Sequence, residues 1–334
     1  MRIDELQREA VLAAEFVLAS DNTPLGDPVP VFNLIEDRGV WLKFEANLDR
    51  LLGAYQRIDD QTAGIFVNVA RPLSLQRFTA AHELGHHELG HTSHIDDEST
   101  VLNPSKDPQE IQAQTFAASL LMSEVAIETR LEHRGHDPER PSLNDLDIYL
   151  LSSELGVSYT AAITQLNALH KISFPAAERL RRVRPLALKE RILGGRKPDN
   201  PRANVWQLTL ADNHRRVQLN VGDELDIALP EVRSSGYEWI TPANLLEAFS
   251  IVNDRYVPPR ASGDDVVFGG SGTRHITIKA HAPHRARLDF DLNQPWDGGE
   301  QGGQFTLDAV VSTVPLSEVG QGISINQQAQ LLAA

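Results

Sequence analysis

The apolar residues of this sequence change period once, near residue 195, and that change limits what the chain can build. Before it they recur at steps of three and four, the repeat of a helix with one buried face. After it they alternate, as on strands with one face in a core. Helical segments fill residues 1–195, interrupted around Gly39 to Ala70 by two expected strands, Val40 to Phe44 and Ile65 to Val69. The run Gly194-Gly195-Arg196-Lys197-Pro198-Asp199-Asn200-Pro201 then reads as a linker. Beyond it lie short alternating segments: Val217, Leu219 and Val221; Leu225, Ile227 and Leu229; Ile276, Ile278 and Ala280; Leu288, Phe290 and Leu292; Phe305, Leu307, Ala309 and Val311. A chain of 334 residues has length for two cores. The reading is therefore α+β: a mainly helical domain with a short sheet over 1–195, a linker over 196–204, an all-β sandwich over 205–314 and a flexible tail over 315–334, with no internal repeat.

Charge and composition narrow the function. The formal net charge of −15 opposes sequence-independent binding to a phosphate backbone. Cysteine is absent, which removes disulfides, thiolate zinc sites and a Cys nucleophile together. No stretch approaches 18 unbroken apolar residues, so no membrane partner is expected. The start MRIDELQREA lacks the apolar region of a signal peptide, and a cytoplasmic location is expected.

The strongest chemical signal is His82-Glu83-Leu84-Gly85-His86, within a segment, Ser74 to His91, whose Leu75, Phe78, His82, Gly85 and Leu89 share a helical face. On a helix, residues four apart stand one turn apart, so both imidazoles can reach one Zn²⁺ while Glu83 lies beside the open position as general base toward water. Ser74 is the expected N-cap. The extended metzincin motif would need Gly at 89 and His at 92, where Leu89 and Thr92 stand. His91 and His94 are expected to be exposed, because His91 falls about half a turn from His82 on a continuous helix. Glu110 is the candidate third ligand, on a second helix that begins at Asp107-Pro108. The same residue at N3 behind an Asp107 cap also satisfies a helix start without metal, and spacing leaves both readings open.

A resemblance bears on that choice. Gln76-Arg77-Phe78-Thr79-Ala80-Ala81-His82-Glu83-Leu84-Gly85-His86, preceded by Ile65-Phe66-Val67-Asn68 and followed by Ala113-Gln114-Thr115-Phe116-Ala117-Ala118-Ser119-Leu120-Leu121-Met122, resembles the ImmA/IrrE family of minimal zinc metallopeptidases, over residues 30 to about 125. The resemblance implies a gluzincin-like domain, with His82, His86 and Glu110 as the zinc ligands and Glu83 as the catalytic base. Gln114 stands where that family usually has Asn or Asp. The resemblance also implies a protein substrate, a helix-turn-helix repressor in many relatives.

Residues Leu151 to Leu166 themselves read like a helix-turn-helix with its turn at Gly156-Val157-Ser158. The would-be recognition helix, Tyr159 to Leu169, contains neither Lys nor Arg, so a small helical bundle is the preferred reading and direct DNA binding is not expected. The cluster Arg179, Arg181, Arg182, Arg184, Lys189 and Arg191 reads as a solvated helix face.

In the sandwich, three loops stand out: Ser235-Gly236-Tyr237-Glu238-Trp239, Gly269-Gly270-Ser271-Gly272 and Gln294-Pro295-Trp296-Asp297. Their glycines permit close backbone approach and their aromatic residues offer contact area, with Trp239 expected in the core. Residues 205 to 312 resemble chagasin-like inhibitors of papain-type cysteine peptidases. That resemblance implies an immunoglobulin-like sandwich and a protein-binding wedge formed by Ser235, Gly236, Tyr237, Gly269, Gly272, Pro295 and Trp296. Gln294 replaces the Arg of the third loop, and Arg233-Ser234 replaces Pro-Thr before the first. The expected function is a zinc endopeptidase with a chagasin-like domain for recognition or regulation. The alternatives are an inhibitor of papain-type cysteine peptidases with a structural or relic zinc site, and a DNA-binding regulator.

Overall fold

A computed structural model describes residues 3–20, 23–46, 51–59, 62–92, 94–97, 106–259, 270–294 and 302–313. Contacts divide the chain into two compact units between Val183 and Arg184.

In the first unit, α1 (Ile3–Ala19) buries Leu6, Ala10, Ala14 and Val17, a stripe at helical spacing. The chain continues through α2 (Val31–Asp37), β1 (Trp41–Glu45), β2 (Leu51–Arg57), β3 (Ala63–Asn68), α3 (Leu73–Glu88), β4 (His94–Asp97), α4 (Pro108–Leu121), α5 (Glu124–His133), α6 (Asp145–Glu154), α7 (Tyr159–Ala168) and α8 (Phe174–Leu180). The sheet has the order β1-β3-β2-β4, with β1 parallel to β3 and β2 antiparallel to both its neighbours. The two expected strands are β1 and β3, while β2 and β4 are additions. α3 packs on β2 and β3, α4 packs on α3, and α1 lies along α4.

Gly156, at φ +66°, makes the turn between α6 and α7. The exposed positions of α7, Thr160, Thr164 and Ala168, are uncharged, while Tyr159, Ile163 and Leu166 are buried in the bundle. The basic cluster is not one solvated face. Arg179, Arg181 and Arg182 belong to the first unit, whereas Arg184, Lys189 and Arg191 belong to the second. There Lys189 is buried and donates to the carbonyls of Pro201 (2.9 Å) and Ala203 (2.6 Å), since a buried ammonium must find acceptors.

The second unit opens with α9 (Pro185–Ile192), followed by β5 (Val205–Thr209), β6 (Arg215–Asn220), β7 (Glu224–Glu231), β8 (Glu238–Ile240), β9 (Phe249–Val257), β10 (Gly272–Ala280), β11 (His284–Asn293) and β12 (Gly303–Ser312). Two four-stranded sheets, β5-β7-β10-β9 and β6-β12-β11-β8, form the sandwich. Every alternating segment read from the sequence supplies inward residues: Leu219, Ile227, Ile278, Phe290 and Leu307 are all within the core. The stretch read as a linker is fastened to this unit. Arg196 pairs with the buried Glu224, which also accepts from the Asp199 amide (3.0 Å), and Asp199 pairs with Lys279 at 2.8 Å. Among the described residues no helix is long and apolar enough to cross a membrane.

Asp223 sits at the base of the sandwich, 2% exposed, and accepts from the amides of Asn204 (2.8 Å) and Asn220 (3.0 Å) and from the Trp206 indole (3.3 Å). Burial pushes its carboxyl up to about 6, against the lowering effect of those hydrogen bonds. Between roughly pH 4 and 6 the folded chain therefore holds this proton more tightly than the unfolded chain does. The associated stability, about 3 kcal/mol, is complete below the unfolded pKa and is lost as pH rises through 6. In urea unfolding, the change in stability between pH 4 and pH 7 should differ between the wild type and Asp223→Asn by about 3 kcal/mol, and parallel profiles would refute the assignment.

Candidate metal centre

The helix that carries the His-Glu-x-x-His motif starts two residues earlier than its sequence suggests. Pro72, with φ −56° and ψ 145°, is the N-cap and makes no side-chain cap bond, so Ser74 lies inside the first turn. The start is braced instead by Gln76, whose side-chain amide donates to the carbonyls of Arg71 (2.7 Å) and Val69 (3.3 Å). Arg77 next to it donates to the carbonyls of Gly156 (3.0 Å) and Val29 (2.8 Å), tying α3 to the α6–α7 turn and to the segment before α2. Burial lowers the guanidinium to about 10, which leaves it charged at neutral pH.

α4 comes close to α3 at Gly85, which leaves room for the Phe116 ring. A Cβ on Gly85 would lie 3.0 to 3.2 Å from the Phe116 side chain, and Ala81, Ala113 and Ala117 are buried. Asp107 caps α4 by accepting from the Gln109 amide at 2.9 Å, as the sequence indicates. That cap does not use up Glu110. Its carboxylate turns to the motif helix, with one oxygen 3.4 Å from His82 Nε2 and the other 3.3 Å from His86 Nε2, while the two Nε2 atoms are 3.2 Å apart. All three side chains are buried. Burial alone would raise the Glu110 carboxyl, but hydrogen bonds and charge from His82 and His86 outweigh it and hold the group well below the usual carboxylate range.

These distances fit a metal. Ligands about 2.0–2.1 Å from a tetrahedral ion stand about 3.3 to 3.4 Å from one another. The three observed separations, 3.2, 3.3 and 3.4 Å, lie at or next to that spacing, and two imidazoles with one carboxylate are a donor set suited to Zn²⁺. Among the described residues, His82, His86 and Glu110 form a buried group able to hold a cation.

Glu83 is fully buried beside this group, one position along the helix from His82. β2 passes so close that a Cβ on Gly53 would lie 2.9 Å from Glu83 Oε1 and 2.4 Å from Thr79 Cγ2. Gly53 is thus a requirement of close approach. Two residues on, the buried Tyr55 hydroxyl meets His87 Nδ1 at 3.2 Å, joining β2 to α3 again.

In the sandwich, Gly236 takes φ +78°, Ser235 is exposed, and Tyr237 is half-buried against Gly302, where a Cβ would come within 2.7 Å of the ring. The Ser235 carbonyl accepts from the Gln294 side chain at 3.1 Å, linking the first loop to the start of the third. Trp239 is core, as expected, and its indole donates to the Pro230 carbonyl at 2.9 Å. Gly272 opens β10, where a side chain would strike the Tyr256 ring. Gly269, Pro295 and Trp296 lie outside the described residues.

Comparison with known proteins agrees with both halves. Residues 36–167 match the family model of the IrrE N-terminal-like domain, a peptidase family, and residues 218–309 match that of the chagasin family peptidase inhibitors. The chain joins an IrrE-like domain to a chagasin-like domain. Among solved structures, the cysteine protease inhibitor EhICP2 from Entamoeba histolytica is 23% identical, covering 34% of this chain and 100% of its own, with a TM-score of 0.30. Amebosin is 23% identical over 33% of this chain and 98% of its own, TM-score 0.27. PbICP-C, solved in complex with falcipain-2, is 18% identical over 33% and 92%, TM-score 0.20. No curated protein matches the chain.

The IrrE-like domain departs from the sequence reading at His91. This residue is 6% exposed, and its Nδ1 lies 3.0 Å from Nδ1 of His86. The expectation of an exposed histidine assumed an unbroken helix. Instead α3 stops at Glu88 in a Schellman turn. Gly90 adopts φ +68°, its amide donates to the His87 carbonyl (3.1 Å), and the His91 amide donates to the His86 carbonyl (2.9 Å). That motif brings the residue after the glycine back over the third residue from the helix end, here His91 over His86. Gly90 was the available signal.

Proposed function

We propose that this chain is a zinc-dependent endopeptidase acting on a protein substrate in the cytoplasm, with its chagasin-like domain serving recognition or regulation. The observation that carries the reading is the triangle of buried ligand atoms at 3.2 to 3.4 Å within a peptidase-family domain. His82 and His86 through Nε2, and Glu110 through its carboxylate, would hold Zn²⁺. Bound there, zinc supplies Lewis acidity toward the scissile carbonyl and toward water. Glu83 takes the proton of the attacking water as its oxygen bonds to the carbonyl carbon. It then delivers that proton to the departing amine nitrogen as the C–N bond breaks. A helix-turn-helix repressor is the substrate class that the family resemblance suggests.

Elemental analysis of the full chain purified under zinc-replete conditions tests the reading. About one zinc per chain, removable by a strong chelator, is the expected result, and absence of zinc would overturn it. Inhibition of papain by the zinc-free chain, measured alongside, would assign the sandwich the activity of its own family.

A further inference from the structure

The contact between His86 and His91 is the first link of a chain that leaves the metal centre. His91 Nε2 lies 3.2 Å from the Gln112 side-chain oxygen, and the Gln112 amide nitrogen donates to Glu9 Oε2 at 2.8 Å. His91 and Gln112 are buried, and Glu9 is on the exposed side of α1. α1 lies outside the segment that the peptidase family model matches.

The direction of every bond in this chain follows from its two ends. If His86 binds the ion through Nε2, its Nδ1 carries the hydrogen and donates, so His91 Nδ1 must accept. The His91 hydrogen is then on Nε2, which donates to the Gln112 oxygen. The Gln112 amide, its oxygen engaged as acceptor, donates to Glu9, which as a carboxylate can only accept. No link has to compromise, and the far end is a full negative charge. A histidine ligand usually gives its second N–H to a carboxylate or carbonyl directly, which fixes its tautomer and raises its basicity. Here two neutral side chains stand between, and each polarises the next.

We propose that His91, Gln112 and Glu9 form a positioning relay that sets the tautomer and basicity of His86, making α1 a working part of the zinc centre. The inference rests on the zinc reading above and is tested apart from it. Competition with a chromophoric chelator gives the zinc affinity of the full chain and its variants. His91→Ala should weaken binding by about 10- to 100-fold, and Glu9→Ala by about tenfold, the lower end of the same range. Glu15→Ala removes another exposed carboxylate from α1 and should leave affinity unchanged, separating the relay from general charge. In a Gln112→Leu background, Glu9→Ala should add nothing, because the connection is already cut. Long-range ¹⁵N spectra of the zinc-loaded wild type should show His91 protonated on Nε2. Glu9→Ala matching Glu15→Ala with wild-type affinity, an additive double variant, or His91 protonated on Nδ1 would each overturn the relay. A wild type that binds no zinc would instead refute the underlying site.

Discussion

Glu83→Gln should keep its zinc and lose cleavage by about 10² to 10⁴-fold, the range that a positioned general base contributes. The substitution is nearly isosteric, which matters in a position that is fully buried and crowded by β2. The amide can fill the same space and hydrogen-bond a water, yet it cannot take a proton from it. The two imidazoles and Glu110 are untouched, so metal content serves as the internal control. Because the substrate is to be found, the readout is the set of new protein N termini in cells producing the wild type or the variant. N termini that appear with the wild type and vanish with Glu83→Gln would identify substrates and the base together. Equal sets, with both proteins zinc-loaded, would show that Glu83 is not the base.

Removing one ligand should cost zinc affinity more than breaking the relay does. Tight protein zinc sites bind with roughly 10–16 kcal/mol over four ligands, so one ligand is worth about 2.5 to 4 kcal/mol, or about 10²- to 10³-fold. His82→Ala and Glu110→Ala should fall in that range. The second variant decides more. Glu110 sits at the start of α4, where a carboxylate also suits the helix dipole, and a purely structural role there would leave zinc binding intact. Loss of zinc from His82→Ala with full retention in Glu110→Ala would exclude Glu110 as a ligand. In Glu110→Ala the two Nε2 atoms, 3.2 Å apart, are left without the carboxylate.

Much of this organisation was legible in the residues. The switch of apolar period announced a helical unit and a sandwich, because burial on one face imposes a repeat of 3.6 on a helix and 2 on a strand. The spacing of His82 and His86 implied a shared ligand face for the same geometric reason. Strands with clear alternation or β-branched runs, such as β3, β7 and β10, could be read directly. β2, Leu-Leu-Gly-Ala-Tyr-Gln-Arg, could not, since its glycine is required by the approach of Thr79 and Glu83 rather than by strand propensity. β9 lies at a sheet edge with an irregular burial pattern and a register shift at Val252, so it shows no alternation.

The choice between the two readings of Glu110 was open to spacing, because a helix start and a metal site call for the same residue type. The close packing of Gly85 against Phe116 joins α3 to α4, and Glu110 on α4 reaches both imidazoles. His91, too, was placed by a turn: the glycine that ends α3 folds the chain back and puts a second imidazole on the first. Local chemistry and period are properties of neighbours along the chain, so the sequence by itself determined the two kinds of unit and the motif on α3. Which side chains meet across 21 and 103 residues, as His91 with Gln112 and Gln112 with Glu9 do, depends on how closely helices can approach, and only the tertiary structure decided it.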